Sequence, residues 1–229
     1  AEAIGESRYG QISTLIVPND NQLADCTGSE IVAAQCLFDP IGSDVIEKAV
    51  QFFRTHHKTG LLLGGRALRQ RGLQAAARIK AATGCSLLSD NMPGYIDRGI
   101  GLPDVIRIPY FPEPALEVLS QYDALVLVGT SEPVTFFGYP GVSSYLLHEG
   151  QHRVNIPNDR QDVVEILECV AEALNAPLSA NISAESPEPK RPGFPEGELT
   201  PETICLTLAA LQPENAVIVD EGLTTSSAY

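Results

Sequence analysis

Short apolar runs alternate with amphipathic stretches along the middle of the chain. The runs at 61–63, 85–88, 105–108, 125–128 and 154–156 lack the polar alternation of a half-exposed strand, so they predict strands buried on both faces. Between them, apolar residues recur every three or four positions, which predicts helices. The alternation predicts an α/β fold, a Rossmann-like doubly wound parallel sheet covered by helices.

Residue types that favour helix ends mark the expected helix limits. Hydroxyl, carboxylate and proline residues favour the first turn, and glycine favours the position after the last turn. Helices are expected to begin at Ser43 with Asp44, at Pro112 with Glu113, at Asp159, and at Thr200 with Pro201, and one helix is expected to end at Gly84.

Two further apolar runs flank this middle part. Residues 12–18 and 216–219 predict strands that have no evident partner, so we expect the chain to be the central piece of a larger protein. Proline, serine, glutamate and glycine dominate 179–199, which predicts an extended linker. The expected organisation is the tail of one domain (1–28), a central Rossmann-like domain (29–178) that folds autonomously, the linker (179–199) and the start of a third domain (200–229).

Charge and cysteine content narrow the function classes. The 15 basic against 29 acidic residues give a net charge of −14, which argues against nucleic acid or an anionic membrane as partner. No apolar stretch approaches the roughly 20 residues of a membrane span. Five scattered cysteines without a C-x-x-C pair indicate neither a disulfide framework nor a zinc site. We expect Cys85, Cys169 and Cys205 to be inert core residues of a cytoplasmic protein.

The histidines and hydroxyl residues do not form a recognisable catalytic set. His56 and His57 are expected to be exposed at a helix end, and His148 and His152 straddle Gly150, which disfavours metal binding from a helix. We assign no catalytic residue and no metal ligand within the chain.

The carboxyl ends of the predicted strands are the expected ligand-binding edge. Gly64, Gly65 and Arg66 follow one strand, and Gly129 and Thr130 follow another. Two interpretations stay open: a nucleotide crevice in which Arg66, the only cation that we assign there, meets a phosphate, or a tight turn with a solvated arginine. Asp90 and Asn91 end the strand between them in sequence.

Two long loops are expected near the same edge. Residues 129–141 carry Pro, Gly and three aromatics, which would line a pocket, meet a neighbouring subunit, or fold onto their own domain. Residues 91–101 form the second loop.

Particular segments resemble a known family. The chain resembles thiamine-diphosphate-dependent enzymes of the acetolactate synthase and benzoylformate decarboxylase group. The resemblance is carried by residues 97–103 with 108–111, by residues 133–141, and by the order of parts from Thr14-Leu15-Ile16-Val17-Pro18 to Asp220-Glu221-Gly222. The resemblance runs along essentially the whole chain. It implies a central domain between a pyrimidine-binding and a diphosphate-binding domain.

The resemblance also implies an activity and cofactors. The intact protein would be a 2-oxo-acid decarboxylase or carboligase, a lyase or transferase using thiamine diphosphate and Mg²⁺, acting on a small 2-oxo acid as a homo-oligomer. Gly222, Leu223 and Thr224 would approach the cofactor's diphosphate. The activating glutamate and the metal–diphosphate motif lie outside the chain, so we expect residues 1–229 alone to be inactive. The alternative is a stand-alone nucleotide-binding or interaction module without catalysis.

Acetolactate synthases also bind FAD on the central domain, partly through an arginine-bearing strand end. Here the equivalent segment, 129–133, has no arginine, and Glu132 would repel a pyrophosphate. We therefore expect an ADP-like group to bind weakly and FAD not to copurify.

Overall fold

The computed structural model describes residues 14–25, 28, 37–156, 160–178, 191–222 and 225–228. The chain divides into two compact units, Ala1–Ser186 and Pro187–Tyr229. The domain limits expected from the sequence stay a prediction.

The first unit contains one five-stranded sheet, and every pair of neighbouring strands is parallel. The strand order is β3-β2-β1-β4-β5. The predicted fold class is confirmed. The strands are β1 (Thr59–Leu63), β2 (Ser86–Ser89), β3 (Ile106–Arg107), β4 (Ala124–Val128) and β5 (His152–Ile156).

Helices follow most of the strands. A 3₁₀ helix, Gly65–Leu68, directly follows β1, and a second one spans Thr225–Ala228. None of the helices in the described ranges is long and apolar enough to cross a membrane. The α-helices are α1 (Asn19–Leu23), α2 (Ser43–Thr55), α3 (Gln70–Thr83), α4 (Pro112–Leu119), α5 (Val163–Ala173) and α6 (Pro201–Leu211).

The two faces of the sheet are covered differently. Because successive side chains of a strand point to opposite faces, Leu61 and Leu63 face one core and Leu62 faces the other. The first core, the helix-covered face, contains apolar residues of α2, α3 and α5. The second, the loop-covered face, contains α4 together with Leu146 and Leu147 from the long connection between β4 and β5. A loop therefore occupies part of the layer in which a doubly wound sheet usually carries helices.

One buried amide holds this loop in place. The Nε2 of Gln151 donates to the carbonyl oxygens of Leu119 and Tyr122, at 2.8 Å each, at the end of α4. Its Oε1 accepts from the backbone N–H of His148 at 3.0 Å. Gln151 is only 4% exposed, so these bonds satisfy an amide whose burial would otherwise be costly.

Helix ends agree with the sequence in part. Gly84 ends α3 with a φ of +74°, Pro112 opens α4, and Thr200 caps α6 through a reciprocal bond with Thr203. Two expectations are wrong. Gly42, not Ser43 or Asp44, is the N-cap of α2, because those two residues already lie in its first turn.

The cap of α5 is the second correction. Asp162 occupies it, and its Oδ1 accepts from the Val164 N–H at 3.0 Å. The expected cap, Asp159, lies outside the described residues and three positions too early, since α5 begins only at Val163.

The flanking apolar runs are not strands in the described residues. Ile16 is 83% exposed and Val219 is 80% exposed, and neither segment has a ladder partner. The apolar pattern indicates that these side chains favour burial, but a strand also requires a neighbouring strand to pair with its backbone N–H and C=O groups. The strand expected at 105–108 is shorter too, since β3 spans only Ile106–Arg107, although the Ile108 N–H still donates to the Ser89 carbonyl at 3.0 Å.

Candidate functional site

The sheet reverses its order between β1 and β4, and this is where open α/β sheets bind ligands. From β1 the chain crosses to β2 and β3 on one side, whereas β4 and β5 lie on the other. The two glycine turns that follow β1 and β4 therefore stand side by side. The structure brings together the predicted residues Gly64, Gly65, Gly129 and Thr130.

These turns are in direct backbone contact. The Gly64 N–H donates to the Val128 carbonyl at 2.9 Å. A Cβ on Gly64 would lie 2.5 Å from the Gly129 oxygen, and one on Gly129 would lie 2.7 Å from the Gly64 oxygen. Gly65 and Gly129 also adopt positive φ values of +51° and +68°. A ligand group cannot enter between the two turns, so a nucleotide would have to lie across their outer surface.

Arg66 is not a simply solvated arginine. Its guanidinium lies 3.3 Å from Asp162 Oδ2, and its Cζ lies 4.4 Å above the ring of Phe38. Asp162 thus caps α5 with one oxygen and pairs with Arg66 through the other. An incoming phosphate would compete with this carboxylate for Arg66.

The Glu132 carboxylate has a cationic partner. The Nε of Arg153 lies 3.3 Å from Glu132 Oε2. Arg153 pairs with Leu125 in the sheet register, so its side chain points to the loop-covered face. The pair reduces the repulsion that we expected Glu132 to exert on a pyrophosphate, and sequence reasoning missed it because Arg153 lies 21 positions further along the chain.

The loop at 91–105 packs on the turn after β1, as expected of a second loop at this edge. Asp97 Oδ2 accepts from the Gln70 N–H at 2.6 Å, and the Asp97 N–H donates to Leu68 O at 3.0 Å. Arg69 lies 3.4 Å above the ring of Tyr95. Asp97 therefore satisfies the first turn of α3 from 27 positions away, and no local pattern indicates this.

Four aromatic rings form a cluster that we call the aromatic patch, made of Tyr110, Phe111, Phe136 and Phe137. Neighbouring ring centroids lie 4.9–6.5 Å apart. The loop beneath them is fixed by a bridge between Val134 and Tyr145. The rings contact one another, yet the three phenylalanines remain more than half exposed. The interpretation that this loop only folds onto its own domain is therefore incomplete.

Cysteine chemistry at the site is not indicated. Cys85 is buried, and burial raises the pKa of its thiol to about 11. Cys205 is also buried, whereas Cys169 is half-buried at the edge of the apolar stripe of α5, so it is not the core residue that we expected. Burial, and then the nearby glutamates, raise the pKa of Cys169. Cys26 and Cys36 lie outside the described residues.

Of the three residues predicted to approach the cofactor's diphosphate, the structure describes Gly222, which lies in the second unit. The Gly222 N–H donates to Asp220 Oδ1 at 2.9 Å, and Ser226 Oγ donates to Gly222 O at 2.7 Å. A Cβ on Gly222 would lie 2.7 Å from Ser226 Oγ, so this turn favours glycine. Leu223 and Thr224 lie outside the described residues. Within the described residues, no group of three or more His, Cys, Asp or Glu side chains could hold a metal ion.

Comparisons with known proteins support the resemblance seen in the sequence. No protein-family model matches the chain. Over 224 residues, 97% of its length, it is 36% identical to "Putative acetolactate synthase large subunit IlvX" of Mycobacterium tuberculosis, of which it covers 42%. The expected resemblance to thiamine-diphosphate-dependent enzymes of this group is confirmed.

Solved structures share the fold. A thiamine diphosphate-dependent 4-hydroxybenzoylformate decarboxylase of Rhodococcus jostii RHA1 superposes with a TM-score of 0.58 at 18% identity, over 87% of this chain and 39% of that one. A structure titled "putative thiamin diphosphate-dependent enzyme" from Mycobacterium smegmatis gives 0.53 at 17% identity, over 84% and 39%. The chain spans about two fifths of the length of each of these proteins.

Proposed function

We propose that this chain is the central part of a thiamine-diphosphate-dependent enzyme that acts on a small 2-oxo acid, as a decarboxylase or a carboligase. The observation that carries the proposal is the 36% identity over 97% of the chain to an acetolactate synthase-like protein. The parallel sheet that the chain shares with a 2-oxo-acid decarboxylase supports it.

The second unit supplies the residues that would approach the cofactor. The Gly222 turn is tightened by the Asp220 carboxylate and by Ser226, whose Oγ would lie 2.7 Å from a Cβ on Gly222. A glycine at such a turn allows close approach of the backbone to a diphosphate. When bound, thiamine diphosphate would supply the nucleophilic carbon of the reaction, with Mg²⁺ as its accompanying ion. The role that we propose for the chain is to position the cofactor.

The test uses the intact protein in which this chain occurs. Release of CO₂ from a panel of 2-oxo acids is measured with thiamine diphosphate and Mg²⁺, and cofactor binding is measured by calorimetry. Gly222→Ala should weaken cofactor binding at least tenfold, whereas Gly193→Ala, where a Cβ would meet nothing within 4 Å, should not. Residues 1–229 alone should release no CO₂. An intact protein that neither binds the cofactor nor turns over any 2-oxo acid contradicts the proposal.

A nucleotide site at the β1–β4 edge is a second candidate, favoured by the position of the switch point and by Arg66. We propose that an ADP-like group lies across the outer surface of the two glycine turns, with its phosphate at Arg66. Because Asp162 already holds this guanidinium, ADP binding should be weak, and FAD should not copurify.

The ion pair makes this site testable. Arg66→Ala should weaken ADP binding about tenfold, which corresponds to the loss of one charge-assisted contact. Asp162→Asn should strengthen it, because asparagine still caps α5 but no longer competes for Arg66. Glu168→Gln, which removes the carboxylate partner of Arg71, is the matched control and should change nothing. ADP affinity that is indifferent to both substitutions, or flavin in the purified protein, would overturn this candidate.

A further inference from the structure

Two histidines meet at the amino end of the edge strand β5. His56 is the C-cap of α2, and His152 is the first residue of β5. Their ring centroids are 4.8 Å apart and their planes are inclined by 47°. The pair lies at the opposite end of the strands from the β1–β4 edge, so it is distinct from the nucleotide site proposed there.

The surroundings of His56 suit the tautomer that is protonated on Nδ1. This atom lies 3.0 Å from the Phe52 carbonyl oxygen, which can only accept, and 2.9 Å from Thr55 Oγ1, which can donate or accept. Because Thr55 Oγ1 also lies 3.0 Å from the Gln51 carbonyl oxygen, the hydroxyl proton has another acceptor, and a proton on His56 Nδ1 leaves the lone pair on Nε2. An imidazole that donates one N–H to a backbone carbonyl and offers its other nitrogen is the arrangement in which most metal-binding histidines are held.

We propose that His56 and His152 together bind a divalent transition-metal ion through one ring nitrogen each, with water in the remaining positions. Metal–nitrogen bonds of about 2.0–2.1 Å place the centroids of two imidazoles on one ion about 5 Å apart, which matches the observed separation. His152 is exposed, so the ion and its waters can reach the pair and the ring can turn toward it.

A site with only two protein ligands is expected to bind metal ions with limited affinity. No third His, Cys, Asp or Glu in the described part of the chain completes a metal-binding group, so the affinity should be moderate and Cu²⁺ should bind more tightly than Zn²⁺ or Ni²⁺. The bound ion would join the end of α2 to an edge strand. Because the ion would bind the native state and not the unfolded chain, it would raise the thermal stability of the protein.

The experiment uses the 229-residue chain without a polyhistidine tag and adds Cu²⁺ or Zn²⁺ alone. Calorimetry at pH 7.5 should give one site per chain. His152→Ala should weaken binding at least tenfold and abolish the metal-induced rise in Tm. His148→Ala is the control, because that imidazole accepts from the Gly150 N–H and should leave binding unchanged.

His56→Ala should have the same effect as His152→Ala, but it also removes the bond to Phe52 at the end of α2. The exposed His152 therefore provides the decisive variant, because its replacement leaves the helix end intact. Undiminished Cu²⁺ and Zn²⁺ affinity in His152→Ala, or loss of the site in His148→Ala instead, would overturn the assignment.

Discussion

The helix-covered face and the loop-covered face of the same sheet reach burial by different routes. Three amphipathic helices, α2, α3 and α5, cover the first, and each presents an apolar stripe that its own sequence encodes. The second is covered by the eight-residue α4 and by a loop whose apolar residues, Leu146 and Leu147, have no helical spacing. The first face is therefore covered by apolar contacts of regular helices, whereas the loop on the second face is also held by the hydrogen bonds of Gln151.

The largest effect should come from a cavity in the helix-covered face. Ile79 of α3 is fully buried in that core. Ile79→Ala should lower the free energy of unfolding by about 2–5 kcal/mol, because it removes apolar contacts and leaves a cavity. Urea denaturation followed by circular dichroism measures this. A loss below 1 kcal/mol would mean that this face repacks easily and that the two faces do not differ in this respect.

The loop-covered face should respond to the loss of one amide. Gln151→Leu has a similar volume but removes the partner of the Tyr122 carbonyl and of the His148 N–H, and it leaves the Leu119 carbonyl with only the bond from the Tyr122 N–H. The expected cost is about 1–3 kcal/mol. Hydrogen exchange should show the loss of protection concentrated in α4 and the loop.

Gln161→Leu is the matched control for this change. That glutamine also donates to a carbonyl, of Pro40, but it lies at the surface. Its replacement should cost less than about 0.5 kcal/mol. Equal effects of the two leucine variants would show that the buried amide does not hold the loop.

Asp97→Ala tests a contact through which a loop supports the helix-covered face. The carboxylate satisfies the N–H of Gln70 in the first turn of α3, so its loss should cost about 1–2 kcal/mol, the usual range for a helix cap. Asp97→Asn keeps an acceptor oxygen and should retain most of the stability. Thermal unfolding of the two variants side by side measures the difference, and identical Tm values would contradict the capping role.

The pH dependence of Cys85 gives the smallest expected effect. Burial raises the pKa of this thiol from 9.0 to about 11 in the folded state. Because the unfolded chain releases this proton first, the stability contributed by Cys85 is complete below pH 9 and is lost as the pH rises from 9 to 11. At pH 10 the loss should be about 1 kcal/mol.

Cys85→Ala isolates this contribution from the lysines and tyrosines that titrate in the same range. Denaturation at pH 8 and at pH 10 should show a smaller pH-dependent loss in the variant than in the unmodified chain. If the free energy of unfolding fell equally between pH 8 and pH 10 in both proteins, the Cys85 thiol would not be buried in the core of the helix-covered face.

How much of the candidate site follows from the sequence can be seen residue by residue. Gly64, Gly65, Gly129 and Thr130 were predicted at one edge, because the carboxyl ends of parallel strands share an edge. The partners that set the charge of that edge, Asp162 for Arg66 and Arg153 for Glu132, were not predicted. They lie 96 and 21 positions away, and a local pattern carries no information about which distant charges meet.

The sequence by itself determined the elements whose causes are local. The parallel sheet follows from uninterrupted apolar runs between amphipathic helices, and the ends of α3 and α6 follow from Gly84 and Thr200, since helix periodicity and capping act within a few residues. The tertiary structure alone decided which apolar runs became strands. It also decided that the side chains of Asp97 and Gln151 hold distant segments in place. Strand pairing and the satisfaction of buried polar groups join residues far apart in the chain, so they are settled only when the whole sheet and its two coverings have formed.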